Sequence, residues 1–440
     1  MTEPELEQLK KDVEHLKSLE YLFFNHQHTG SDFSKLLENA RIRFRSLDIG
    51  GNDIVVRPGD NIQAANDEIA IRGQGRIILG SGTFVMTANL NMSSGVSLVG
   101  QGQDITILDF GSGARGVKYI GTGVAIKKNF VIKDLTIQNS NNTAGLDMDY
   151  CDNFTMENVR VTSCDQKGLR IQHSQRFIIT NFNSNSNTGN GFEVVGDGTR
   201  ASSYFNLLNC NAESNGGIGF AFSAGGTSVF YFNLLNCTSS ANTGDGYDFA
   251  IASGNPVADA NIIGCLSSGN AIGFDCDLDR INFIGCIAEG NSADGFEIAG
   301  TRCKIIGSHS SDPYDLQSAV TIFRGNTDTT AGLTQIFPSF TLANGDNNNV
   351  DFDSFENVKI AGPTGAFAIT GIANPYGGAV VRIYNSVAQN MTISHQSASS
   401  DEAKRIITST GADVATTGVG MATLVYSDSD SRWILMSVEA

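Results

Sequence analysis

An Asn, a short turn and a Gly followed in most units by an aromatic residue recur through the middle of this chain, and no other feature restricts its fold so severely. The Gly falls at Gly145, Gly168, Gly191, Gly219, Gly246, Gly273 and Gly295, with successive separations of 23, 23, 28, 27, 27 and 22 residues. The Asn falls at Asn187, Asn215, Asn242, Asn270 and Asn291, with Cys164 in the equivalent place one unit earlier. Periods in this band are the signature of a solenoid. Two units, Phe205 to Phe222 and Phe232 to Phe249, share the opening FNLLNC and close on a Gly–aromatic pair. Their apolar residues alternate with period two, and the i, i+3, i+4 pattern of a helix is absent. Units this short cannot bury a face alone, so they must stack on one another. The expected fold is all-β: a single-stranded parallel β-helix with one coil per repeat and a strand on each side of the turn.

Parity then sorts the side chains. After each Gly, the pairs Leu146/Met148, Leu169/Ile171, Phe192/Val194, Phe220/Phe222, Tyr247/Phe249, Phe274/Cys276 and Phe296/Ile298 should point inward. In the preceding strand one inward slot is shared by Val159, Phe182, Cys210, Cys237, Cys265 and Cys286. Six of the eight cysteines therefore fall inside coils, which suits reduced thiols acting as small hydrophobes; disulfides or a metal site are the alternative, although CxxC and Cys/His clusters are absent. The Asn column can form a ladder of amides from coil to coil, and a second column, Asn158, Asn181, Asn209 and Asn236, marks another corner.

The same parity leaves one outward row: Asp147, Arg170, Glu193, Ala221, Asp248, Asp275 and Glu297. Asp149, Gln172, Val195, Ser223, Ala250, Asp277 and Ala299 lie two residues on. Six of the seven first-row positions are charged and five are acidic, in a chain with 46 acids among 440 residues. Stacked coils place row neighbours about 4.8 Å apart, where like charges repel and raise each other's pKa. That division of carboxyls into protonated and ionised members is what glycoside hydrolysis needs. The candidate catalytic residues are Asp248, Asp275, Asp277 and Glu297, with Asp147, Arg170, His173 and Glu193 lining the groove as saccharide-binding residues. Asp275 and Asp277 on one strand suit an inverting separation, whereas pairs on adjacent coils suit retention. Arg170 with His173 is the one candidate base for a lyase, calcium on the Asp row is a further expectation, and an acidic stripe serving only solubility is the plain structural alternative.

Outside the repeats, residues Glu3 to Phe24 carry a narrow stripe of Leu6, Leu9, Val13 and Leu16 at heptad spacing. Three heptads cannot hold a helix alone, so self-association is expected there. His26 and His28 follow; three copies could offer six imidazoles to iron or nickel on a shared axis, although a capped turn explains them as well. From Asp53, Arg57-Pro58-Gly59-Asp60 leads to a short helix over Asn61 to Ile71, and glycine-rich strands follow. The repeats fade after His309, and Gly325 to Gly332 reads as a linker. Beyond Phe337, strands at Ala379–Tyr384, Met391–Ser394, Arg405–Thr408, Met421–Tyr426 and Arg432–Val438 suggest an antiparallel β-sandwich. The expected units are thus 1–48, 49–325 and 326–440.

A net charge of −17 argues against nucleic acid and anionic membrane as partners. The start, MTEPELEQLKK, lacks the apolar segment of a secretion signal, and no apolar run reaches 18 residues, so no membrane insertion is expected.

The opening from Asp53 to Phe110, with its small helix before the first coils, resembles that of the pectate-lyase-like superfamily of right-handed β-helices, in which a helix caps the open first coil. Polygalacturonase-like members carry NTD, DD, GHG and RIK motifs; here DD, GHG and RIK are missing and Asn326-Thr327-Asp328 is expected past the repeats. The segments Ala422–Tyr426 and Ser431–Leu435 resemble C-terminal domains of phage tail proteins, and HxH followed by Gly is similar to their N-terminal segments. The whole order resembles a bacteriophage tailspike, made without a signal peptide and carried on the virion tail. The resemblance implies a homotrimer, attachment to tail or baseplate proteins through the N-terminus, iron at His26 and His28 on the trimer axis, and a host-surface polysaccharide (capsule, exopolysaccharide or O-antigen) bound and depolymerised on the shaft. A non-catalytic adhesin or tail fibre and a cellular polysaccharide lyase or hydrolase are the rival expectations.

Overall fold

The computed structural model describes residues 52–439 apart from 112–115, 142–143, 197–199, 227–228, 255–256, 317–321, 325, 329–338 and 353–354. The N-terminal heptads, His26 and His28 lie outside the described residues.

The chain enters through strand Asp53–Val56 and helix Ile62–Arg72. Asn61 caps that helix, its side chain accepting from Ala64 N at 3.1 Å. Ile62, Ala65 and Ile69 are buried against the first coils, so the helix closes the open apolar end of the stack.

Above it rises a right-handed parallel β-solenoid of about 14 turns. A typical coil has three strands rather than the expected two: Lys167–Gln172, Gln175–Thr180 and Asn183–Asn185. The strands that follow the repeat Gly form one ten-stranded sheet, here the first face. Pairing along it is parallel and in register, as in Leu169 opposite Phe192 and Phe220 opposite Tyr247. Every inward pair named from parity is buried. Like residues stack over like: Phe192, Phe220, Tyr247, Phe274, Phe296 and Tyr314 form one ring ladder with centroids 4.5–5.0 Å apart. Each such contact adds roughly 0.5–1.5 kcal/mol beyond simple burial.

Two polar columns shape the corners, by different physics. Asn187, Asn215, Asn242 and Asn270 each use Oδ1 to accept the backbone N–H of the coil before, at 2.9–3.1 Å; Nδ2 of the first three donates on to the next Asn, while that of Asn270 donates to Ser239 O and Ser267 Oγ. The ladder ends on Asp312, whose carboxylate accepts from both N and Nδ2 of Asn291 at 2.9 Å. The second column is a conformational one. Asn158, Asn181, Asn209 and Asn236 have φ of 52–53°, and Gly264, Gly285 and Gly307 replace them farther along at 59–61°. Asn and Gly share that column because they tolerate the left-handed region best.

All eight cysteines are free and buried, Cys151 and Cys303 in addition to the six placed by parity. Their thiols pack as hydrophobes, and burial pushes Cys164 up to about 11.

Coils continue past the point where the repeat fades. Tyr314–Leu316 pairs with Phe296–Ile298, and Thr327–Asp328 pairs with His309–Ser310. Asn326 Oδ1 accepts from Ser308 N at 2.8 Å, so Asn326-Thr327-Asp328 belongs to the last described coil rather than lying past the repeats. From Ser339 onward there is a six-stranded and a four-stranded sheet. The expectation of an antiparallel sandwich is corrected here. Ser339–Thr341, Asn357–Ala361 and Val380–Asn385 pair in parallel, as do Gly345–Asn347, Phe367–Ile369 and Met391–Ile393. Antiparallel pairing enters where Gly420–Ser427 and Arg432–Glu439 close one sheet and Val414–Ala415 the other, and at a single bridge between Gly371 and Arg405. The alternation that suggested strands says nothing of their direction, which depends on the connection between them.

Candidate functional site

The outward row is a continuous column on the first face. Register runs Lys118, Asp147, Arg170, Glu193, Ala221, Asp248, Asp275, Glu297 and Asp315. Ala221, 7% exposed, divides it into two stretches of different character.

Toward the N-terminus the signs alternate. Arg170 Nη1 lies 3.4 Å from Asp147 Oδ1, and the same guanidinium donates to Gln172 Oε1. Lys167 Nζ lies 2.5 Å from Glu193 Oε2. Asp147 is only 3% exposed, and burial raises its pKa against the opposing pull of Arg170 and Lys118. His173 Nδ1 sits 2.8 Å from Asp149 Oδ1 with its ring stacked on Tyr150, at a corner with φ of 46°. Asp147, Arg170, His173 and Glu193, expected to bind saccharide, are thus all engaged with other side chains of the shaft.

Toward the C-terminus every position from Asp248 to Asp315 is an acid. Asp248, Asp275 and Glu297 stand on three adjacent coils, with Asp277 two residues beyond Asp275 and more exposed. Burial first, then Asp245 and Asp277, push the Asp248 carboxyl up to about 6. Burial, then Asp248, Asp245, Asp277 and Glu297, push Asp275 up to about 7. Glu297 is raised by burial and by Asp294, Asp315, Asp245 and Asp277. No ion pair reaches Asp248 or Asp275 among the described residues. The four expected catalytic residues do come together, and Asp275 is their centre.

Sequence parity missed three members of this set. Asp315 sits on a coil with no repeat Gly before it, so Tyr314-Asp315-Leu316 escaped notice although it copies Phe296-Glu297-Ile298. Asp245 and Asp294 precede the Gly at the mouth of the turn, where parity makes no assignment; Asp245 Oδ1 accepts from Ile272 N at 3.1 Å.

Among the described residues, no group of three His, Cys, Asp or Glu converges in a way that could hold a metal ion. The expectation of calcium on the Asp row therefore lacks a cage: the column spreads its carboxylates along the axis instead of around a point. No helix of the described residues is long and apolar enough to cross a membrane.

Chemically, the acidic stretch offers one carboxyl that holds its proton near neutrality beside others open to solvent. They follow one another from coil to coil along the outward face, an arrangement that a chain-like ligand could follow.

The model of the right handed beta helix region matches residues 91–235 and 145–312, together just over half of the chain. No curated protein matches it. Similar solved structures include the N-terminal fragment of bacteriophage phi29 gene product 12, with 12% identity over 77% of this chain and 69% of that one, at a TM-score of 0.46. ORF18 of Geobacillus virus E2 is similar at 14% identity over 94% and 80%, with a TM-score of 0.45. The A-module of the Azotobacter vinelandii mannuronan C-5 epimerase AlgE4 is similar at 15% identity over 72% and 93%, with a TM-score of 0.44. By the extent of the family match, the chain belongs to the right-handed beta helix family.

Proposed function

We propose that this chain is a phage tailspike that binds a host-surface polysaccharide along the acidic stretch of its first face and hydrolyses it there. The observation that carries the reading is Asp275, a carboxyl with a pKa near 7 set among other carboxyls on an open strand. In this reading Asp275 is the general acid that protonates the leaving glycosidic oxygen. Asp277, exposed and just past the end of the Phe274–Cys276 strand that carries Asp275, rather than on that strand as the spacing suggested, is the base that activates water in an inverting displacement. Asp248 and Glu297 flank Asp275 and hold its proton on through their charge. The N-terminal heptads would gather three copies, and His26 and His28 would lie near their common axis.

The test is release of new reducing ends from purified capsule or lipopolysaccharide of the receptor-bearing host, with product configuration followed by NMR. Wild type should release oligosaccharides with inversion, and Asp275→Asn should lose about 10²–10⁴-fold in kcat. Retention would move the second role to Asp248 or Glu297. An unsaturated product would replace hydrolysis by elimination, and binding without any release would leave an adhesin.

A further inference from the structure

The coils that carry the acidic stretch present an opposite character on their second and third faces. Leu208, Leu235, Ile263, Ile284 and Ile306 follow one another in register on the outside of consecutive coils. Across the Asn/Gly corner the next outward column runs through Thr238, Leu266 and Ile287 before it turns polar at His309. Ile263, Ile284 and Ile287 are 37%, 36% and 40% exposed. Beside the aliphatic column runs an external amide ladder. Asn233 donates to Asn206, Asn261 to Asn233 and Asn282 to Asn261, at 2.8–2.9 Å. Through these coils the strip between the amide ladder and the Leu266 column holds no charged residue, in a chain of net charge −17.

Charge returns at the margins, with opposite sign. On the side of the amide ladder Arg302 and Lys304 edge the strip beside an Arg280–Asp259 ion pair at 3.0 Å, a net basic margin, and Glu213 and Glu289 edge it beyond the Leu266 column. An apolar centre with a polar, charged rim is the anatomy of a protein interface, and a contiguous apolar strip is not what scattered surface hydrophobics produce. We propose that this strip is where a second copy of the same chain docks, side by side and parallel, the basic margin of one copy meeting the acidic margin of the next. Such a contact joins two different edges, so it is heterologous, and the shared N-terminal end is what would close it into a ring rather than leave an open filament. A parallel arrangement follows from the N-terminal heptads, which would join copies at the end from which the shaft begins. The inference rests on the self-association proposed above and adds the face that mediates it, on the side of the shaft away from the acidic column.

The test combines sedimentation equilibrium with hydroxyl-radical footprinting of the full chain. Ile251, on the first face and 43% exposed, is an internal control of matched exposure. In the assembled protein Ile263, Ile284 and Ile287 should be modified at least about fivefold less than Ile251, as expected for side chains in an interface core. The double variant Ile263→Asp/Ile284→Asp should raise the dissociation constant at least about tenfold, a loss of only one or two apolar contacts. Equal modification of all four isoleucines in a sedimenting oligomer would overturn the proposed face while leaving self-association intact. A monomer at all concentrations would overturn both.

Discussion

Asp275 holds its proton because partial burial acts on it together with the acids of the neighbouring coils, Asp248, Asp245 and Glu297, and with Asp277 just past the end of its own strand. The consequence for stability follows from linkage. The folded pKa, about 7, lies above the ordinary value near 4, so between those pH values the folded chain carries a proton the unfolded chain has lost. The stability contribution is therefore fully present below about pH 4, is lost as pH rises toward about 6 to 7, and levels off once Asp248 and Asp275 have ionised in the folded chain. Thermal melts from pH 5 to pH 8 should show a falling Tm, equivalent to about 1–2 kcal/mol once solvent screening is allowed for. Asp275→Asn should flatten that slope and raise Tm at pH 8. Its activity counterpart is a rate that falls above about pH 7 as the proposed acid loses its proton.

At the scale of the coil, the repeat Gly and the two Asn columns impose different demands. Gly246 is not a left-handed residue. A Cβ there would collide with Ser267 Oγ and stand 2.7 Å from the carbonyl oxygen of Gly273, so the constraint is space. Gly246→Ala should cost about 2–4 kcal/mol by overpacking a site with rigid backbone on one side. Asn242 accepts from Asn215 N and donates to the Ala212 carbonyl inside the stack. Asn242→Ala strands both groups and should cost about 2–4 kcal/mol. Asn236→Gly, by contrast, should stay within about 0.5 kcal/mol, because its column needs only a left-handed φ, and Gly264 already supplies it one coil later. Chemical denaturation of the three variants checks the contrast. Both Asn columns were visible in the sequence as recurring residues. That one is a hydrogen-bond ladder and the other a backbone requirement was not, since spacing records position and says nothing of φ.

Along the whole shaft, Ala221 separates a stretch that neutralises itself from one that accumulates acid. Arg170→Ala should lower stability by about 2–4 kcal/mol, because it leaves the buried Asp147 carboxyl without its partner, and leave glycan release within about twofold of wild type. Asp275→Asn should do the reverse, and parallel melts and reducing-end assays distinguish the two. Parity put Arg170, Glu193, Asp275 and Glu297 in one row as equals. It could not divide them, because Lys167 reaches Glu193 from the residue before the repeat Gly, a position outside the row, and Asp245 and Asp294 reach the acidic stretch from the equivalent place.

Period and alternation are properties of the chain itself, so the solenoid, its inward residues, the helix after Asn61 and the outward acidic row could all be read from spacing. Three strands per coil, the parallel course of the C-terminal strands and the coils beyond His309 could not, because each depends on where the chain turns back and pairs. The same holds for the site. Identity places carboxylates on one face, but their protonation depends on burial and on charges arriving from other coils, and stacking alone brings Asp245, Asp248 and Glu297 around Asp275.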